Sequence, residues 1–429
     1  MSLAAAAVIG IVAQLARVGP GRLPVPTGPF GIGRVTLVYE DESRIEPLDP
    51  KLGPRRILVN VWYPADAPGS KGVTTAEYLD VVAFERVIGA DGLKSQLGAS
   101  YSMIKAGSVV TDAVVRAPFA SSLKRSPVLI FSPGGGMISE LYMSQLEDLA
   151  SHGYVVAAIT HSYDGFLAVF PDGSHVAYDS KRWPQQPSLE GEANLNQLEW
   201  HADDIRVVLD ELSRAPSSLP FSGRLDLAHV GAFGHSFGGI TAAHACQKDQ
   251  RIKACLNQDG AVAMQPYFPD ARGWGMDQPF MLIERAQRME PPSDQELAQM
   301  KLTREQVNEI RKRLDANRNR VLRATGKGAY RVVLQRSTTT HMDFTDLQFT
   351  LSWDKHVSNQ SHHDFYEVLG APTGDERETR ERIMAVVRDY TRAFFDRYLK
   401  GMRSPLLDAK VPDQFVESVE RFGPGKRSK

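Results

Sequence analysis

The chain has little cysteine, no surplus of either charge and no long apolar run, and each shortage excludes something. Its 429 residues contain two cysteines, Cys246 and Cys255. That is too few for a small fold stapled by disulfides, neither stands in a metal-binding spacing, and they leave the redox compartment open. Lysine plus arginine number 50 against 51 aspartate plus glutamate, for a net charge of −1. A chain so balanced lacks the field that gathers nucleic acid, and none is expected as a partner. Eleven histidines are present, but no H-E-x-x-H or comparable ligand set. No metal and no cofactor is therefore expected. The most apolar stretch, Ser2 to Ala16, is too short to span a bilayer comfortably, and no positive charge precedes it. It reads either as the remainder of an export or anchor segment, placing the protein outside the cell or in its envelope, or as an ordinary N-terminal helix of a cytoplasmic protein.

What is present is enough apolar residue, 42%, for one large core. Arg34 to Glu40 and Arg56 to Tyr63 alternate apolar and polar around turn residues, which predicts an antiparallel hairpin at one edge of a sheet. Val128 to Phe131 is wholly apolar, as a central strand covered on both faces must be. Tyr154 to Ile159, Val230 to Phe233, Ile252 to Asn257, Phe280 to Ile283 and Tyr330 to Gln335 read as further strands. Helices are expected at Ala76 to Ile88 (Tyr78, Leu79, Val82 and Val87 inward), Leu141 to His152, Leu198 to Leu212 and Arg380 to Leu399. Ser293-x-x-Glu296 and Thr303-x-x-Gln306 look like successive capping boxes. The second helix turns Val307, Ile310, Leu314 and Val321 inward and crowds Arg311, Lys312, Arg313, Arg318, Arg320 and Arg323 outward. Such a basic face is a solvated surface or a contact for anionic lipid.

Strands alternating with helices after an antiparallel start indicate a doubly wound, mostly parallel α/β sheet. Residues 1–23 form the N-terminal apolar segment. A single domain follows over 24–405, with helical or lid-like insertions at 66–126, 160–197 and 286–327, and 406–429 is a tail.

The chemistry centres on Gly234-His-Ser-Phe-Gly238, a G-x-S-x-G run between an apolar strand and a helix. In that context the serine occupies a sharp strand-to-helix turn, and Gly234 and Gly238 flank it because a β-carbon there would strike its neighbours. Ser236 is thus the expected nucleophile. A serine hydroxyl needs a base that is itself oriented by an acid, and in this fold they follow in the order nucleophile, acid, base. His341, just after the last predicted strand, fits the base. Asp259, at the end of the strand after the nucleophile helix, fits the acid better than Glu284, one strand later. Asp343 and Asp346 come after the base, and Asp203 and Asp204 before the nucleophile. An oxyanion needs two amides: that of Phe237, after the nucleophile, and one from Gly134-Gly135-Gly136, where Gly135 is chosen by position.

The segments Val128-Leu-Ile-Phe-Ser-Pro-Gly-Gly-Gly136, Asp148 to Ala158 and Gly234 to Gly239 resemble the platelet-activating factor acetylhydrolase family. So do Gln278 to Ile283 and His341-Met-Asp-Phe-Thr-Asp346. The likeness runs from about residue 24 to 350. It implies an α/β-hydrolase fold, a calcium-independent serine hydrolase, Asp259 as the acid, and a phospholipid-like ester with a short or oxidised acyl chain as substrate, with peripheral membrane contact. Two departures stand out: Pro133 replaces the family's usual histidine, and the helices of Glu290 to Thr325 are longer than expected. The alternative substrate class is a soluble short-chain ester, as for dienelactone-hydrolase-like or polyester-degrading enzymes. No oligomeric state follows from the residues.

Overall fold

Because no side chain from Val128 to Phe131 is polar, this stretch has to be covered on both faces, and it forms the centre of the molecule. The computed structural model describes residues 22–66, 74–97, 100–105, 107, 109–178, 192–262, 275–286, 297, 303–350, 377–408 and 413–424. In chain order the first half comprises β1 (Gly31–Ile45), β2 (Pro54–Ala65), α1 (Val81–Leu97), α2 (Ser100–Lys105), β3 (Ala113–Val115), β4 (Ser126–Ser132), α3 (Met143–Ser151), β5 (Val155–Thr160), β6 (Leu167–Val169), β7 (His175–Ala177) and α4 (Glu192–Ser213). There follow β8 (Leu225–His235), α5 (Phe237–Lys248), β9 (Ile252–Gln258), β10 (Phe280–Arg285), α6 (Arg304–Ala324), β11 (Ala329–Leu334), α7 (Leu347–Thr350), α8 (Arg377–Leu399), α9 (Pro405–Asp408) and β12 (Val416–Phe422).

Ten strands pair in the order β12-β11-β10-β9-β8-β4-β5-β2-β1-β3. From β5 to β11 every pairing is parallel. Parallel neighbours need long crossovers, and helices supply them. Side chains alternate across the sheet. Val128 and Ile130 join a core with Ile205 and Val208 of α4 and Ala242 of α5. Leu129 and Phe131 join another with Leu146 of α3 and Val387 and Phe394 of α8. The fold is that of a doubly wound α/β-hydrolase, and the carboxyl ends of β4, β8, β9 and β10 meet along one rim.

Several local expectations change in the tertiary setting. The β1–β2 hairpin forms, but β3 pairs outside β1, so the hairpin is not the outermost element. The first helix begins at Val81 and is interrupted at Gly89, where φ is 75°. Tyr78 and Leu79 are buried ahead of it, whereas Val82 is 68% exposed instead of facing inward. On α6 the Thr303–Gln306 capping box is formed, but Arg318 turns inward to Glu284 and is not part of the basic outer face. Residues 416–422, expected in a tail, form an antiparallel strand on β11. Within 160–197 a small hairpin, β6–β7, folds back on itself. Cys246 of α5 and Cys255 of β9 are joined by a disulfide across 6.4 Å between α-carbons. The 1–21 segment and the Ser293–Glu296 box lie outside the described residues. Among the described residues no helix is long and apolar enough to cross a membrane.

Candidate active site

The strand β8 ends at His235 and α5 starts at Phe237, which leaves Ser236 alone to turn the chain, at φ 54° and ψ −122°. A side chain rarely occupies that region, and it persists only where the surroundings over-determine it. Here they do. The Ser236 N–H donates to the Gln258 carbonyl on β9 at 2.8 Å. A β-carbon on Gly234 would come within 2.4 Å of the Ser132 carbonyl oxygen, and one on Gly238 within 2.0 Å. The two glycines let the elbow press directly against the end of β4.

The structure brings the three expected side chains into one line. His341 Nε2 lies 3.0 Å from Ser236 Oγ, and its Nδ1 lies 2.6 Å from Asp259 Oδ2. Asp259 stands one residue beyond β9, also with positive φ, 52°. Burial would raise its proton affinity, but the hydrogen bond from His341 and the charge of Arg285 outweigh that and hold the carboxyl far below the usual range. Glu284 does not join the line. It accepts from Arg331 Nε at 2.6 Å and pairs with Arg318, away from Asp259.

His341 opens a 3-10 turn, His341–Phe344, whose anchoring was not foreseen from the residue order. Asp343 caps the turn through the Thr340 N–H at 2.6 Å and forms a buried ion pair with Arg380 of α8 at 2.6 Å. Asp346 receives the Ser144 N–H at 3.1 Å and the Ser144 hydroxyl, at the start of α3. Burial pushes the Asp346 carboxyl up to about 7. Both aspartates follow His341 in sequence, and both hold its loop.

Gly135 lies beside the elbow: a β-carbon there would sit 3.8 Å from the Phe237 β-carbon. The Phe237 amide opens α5, where no preceding turn offers it a carbonyl. The preceding loop is braced from two sides. Gly134 N–H donates to the Tyr142 hydroxyl at 3.0 Å, and that hydroxyl reaches His235 Nδ1 at 2.9 Å. On the other side the Gly136 carbonyl accepts the Phe166 N–H at 3.2 Å, and burial pushes the nearby Asp164 carboxyl up to about 7. His235 itself packs on His341, with ring centroids 4.4 Å apart, and on Phe344. Burial, followed by the neighbouring imidazole of His341, keeps it neutral far below the usual histidine range.

A second serine–histidine–aspartate chain lies beneath the first. Ser132 Oγ is 2.9 Å from His161 Nε2, whose Nδ1 is 2.8 Å from Asp204 Oδ2. Its members are 0%, 1% and 0% exposed, so no substrate reaches them. Asp204 is tied to Arg55 and Arg44, and the chain braces the end of β4. Ser236, by contrast, is partly accessible, and the His341 side chain is 16% exposed. Chemically, an accessible hydroxyl in series with an imidazole and a carboxylate, next to an unengaged helix-start amide, can attack an acyl carbon and hold the resulting negative charge. Among the described residues no group of three or more His, Cys, Asp or Glu is placed to hold a metal ion.

Residues 22–184 match the sequence model of the family described as platelet-activating factor acetylhydrolase, isoform II. The platelet-activating factor acetylhydrolase of Cavia porcellus is 26% identical over 274 residues, covering 58% of this chain and 57% of that protein. A probable 1-alkyl-2-acetylglycerophosphocholine esterase of Arthroderma benhamiae is 25% identical over 246 residues, covering 56% of this chain and 59% of its own. The chain therefore spans somewhat over half the length of these curated relatives. Among solved structures, a ferulic acid esterase from Streptomyces cinnamoneus superposes with a TM-score of 0.68 at 25% identity, over 94% of this chain and 99% of that one.

Proposed function

We propose that the chain is a member of the platelet-activating factor acetylhydrolase family of α/β-hydrolases, a reading supported by the match over residues 22–184 and by the relatives above, and that it is a serine carboxylic-ester hydrolase working through an acyl-enzyme. The observation that carries this reading is the unbroken line from Ser236 Oγ through His341 to Asp259, at 3.0 and 2.6 Å. Ser236 attacks the acyl carbonyl carbon while His341 Nε2 takes the hydroxyl proton. Asp259 keeps the imidazole in the Nδ1–H tautomer and stabilises the imidazolium as it forms. The amides of Gly135 and Phe237 receive the oxyanion, each such donor being worth about 3 kcal/mol in the transition state. His341 then protonates the leaving alcohol, and water, deprotonated by the same imidazole, releases the acid. The relatives' names favour a phospholipid-like ester with a short sn-2 acyl chain as the substrate.

A second substrate class has its own support, since the superposed solved structure is an esterase of ferulic acid. In that reading the same residues cleave a soluble aryl or alkyl ester. The test has two steps. Ser236→Ala should abolish p-nitrophenyl acetate hydrolysis and fluorophosphonate labelling while the protein stays folded by circular dichroism; undiminished turnover would end the proposal. Wild type is then compared on a short-chain sn-2 phospholipid and on a soluble aryl ester. Fast aryl-ester cleavage with no phospholipid turnover decides for the second class.

A further inference from the structure

Asp259 does not serve His341 alone. Its Oδ2 accepts both His341 Nδ1, at 2.6 Å, and Arg285 Nε, at 2.7 Å, while its Oδ1 accepts the Arg285 backbone N–H at 3.0 Å. One residue thus holds both oxygens of the carboxylate, and one of those oxygens is shared with the imidazole. The grip is available because Arg285 ends β10 directly beside β9, where Asp259 N–H donates to the Ile283 carbonyl at 2.7 Å. Successive strand residues point to opposite faces, so Arg285 faces Asp259 while Glu284 faces Arg331 and Arg318. Without such a fork, an aspartate just past a strand end, at positive φ, would be held on its other side by the imidazole alone.

We propose that Arg285 is a positioning residue of the triad: its guanidinium fixes the carboxylate of Asp259 and, by occupying the oxygen that His341 uses, weakens that carboxylate's hold on the protonated imidazole. The inference rests on the triad reading given above. The physical reason is charge sharing. An aspartate facing only a histidine spends its full charge on the imidazolium, whereas one already paired with a guanidinium spends less, and the two cations also repel each other across it. Removing the guanidinium is therefore expected to move the acid limb of the rate profile to higher pH.

The other charged and titratable groups that face this cluster, among the described residues, do not supply the effect. His235 from β8 lies against His341 but is neutral, with Nδ1 engaged by the Tyr142 hydroxyl. Glu284 on β10 is committed to Arg331 and Arg318. Asp343, in the turn of His341, is committed to Arg380. Arg285 is the cation bonded directly to Asp259.

The experiment is the pH profile of kcat/KM and kcat for p-nitrophenyl acetate, with active sites counted by fluorophosphonate titration. It compares wild type with Arg285→Met, Arg285→Gln and Arg285→Lys. In the two neutral variants the acid limb should move up by roughly one pH unit, and kcat should fall several-fold with KM within about two-fold. Profiles that superimpose on wild type, or move to lower pH, would overturn the proposal; a merely structural arginine would lower the site count and leave the profile in place. The lysine variant keeps the charge and guards against poor folding of the others. Its acid limb should stay near that of wild type while kcat falls, because a single ammonium cannot reproduce the guanidinium's approach to Oδ2. A lysine variant equal to wild type in kcat would refute the positioning role. Failure of the underlying reading is separate, since it would appear as retained activity in Ser236→Ala whatever Arg285 does.

Discussion

Replacing Tyr142 by phenylalanine isolates one hydroxyl at the junction of the elbow and the Gly134–Gly136 loop, the proposed oxyanion site. Tyr142 is fully buried, and its ring packs on Phe131 with centroids 4.8 Å apart, a contact that phenylalanine keeps. Two bonds are lost, the one from Gly134 N–H at 3.0 Å and the one to His235 Nδ1 at 2.9 Å. Stranding a buried polar group costs about 1–3 kcal/mol, so two such groups with some relaxation give a destabilisation of about 2–4 kcal/mol. Turnover should suffer as well. Outright loss of an oxyanion donor lowers kcat by roughly a hundred-fold or more, and a donor loop released at one anchor should lose roughly ten-fold, with KM little changed. Urea unfolding followed by tryptophan fluorescence gives the first quantity, and p-nitrophenyl acetate turnover per titrated site gives the second. A Tyr142→Phe protein that unfolds at the wild-type urea concentration and turns over at the wild-type rate would refute the assignment of this hydroxyl as the brace.

Four further outcomes follow from the same contacts. Gly238→Ala should fail to accumulate or be inactive, because its methyl would lie 2.0 Å from one backbone oxygen and 2.2 Å from another. Gly135→Ala, whose nearest neighbour would be 3.8 Å away, should fold and keep most of its activity; equal behaviour of the two on expression and assay would contradict the packing described. Arg380→Met strands the buried Asp343 carboxylate and should cost about 3–5 kcal/mol on urea titration, with a marked loss of kcat/KM as the turn carrying His341 loosens. For Asp346 the sign of the pH effect follows from burial, which raises its folded value to about 7 from 3.8. Its favourable contribution is complete below the unfolded value and is lost as pH rises through the folded one. Asp346→Asn does not titrate, so its stability relative to wild type should improve by roughly 1.4 kcal/mol per pH unit across that window and then level off. Identical offsets at pH 5 and pH 8 would be the contrary result.

Much of the architecture was legible along the chain because it is locally encoded. A run with no polar atom must be covered on both faces, and a serine between two glycines at a strand-to-helix boundary can only be a tight elbow. The carboxyl ends of parallel neighbours share a rim, so the places of Asp259 and His341 followed from their offsets past a strand. What was not legible is set by pairings with no local signature. Val82 turned outward because the helix starts at Val81, later than its apolar spacing suggested. Arg318 left the basic face because Glu284 needs a cation inside. Residues 416–422 became a strand only because β11 has an edge to fill.

The amino-acid sequence by itself determined the elbow, the order of hydroxyl, carboxylate and imidazole along the chain, and the layered sheet that carries them. Each is dictated by backbone sterics or by the two-residue and 3.6-residue periods of burial. Only the tertiary structure decided which charges meet. It placed Arg285 rather than Glu284 against Asp259, joined Cys246 to Cys255, and tied the loop of His341 to α8 through Arg380. Contacts between elements depend on register and facing, and a shift of a single residue along a strand reverses them.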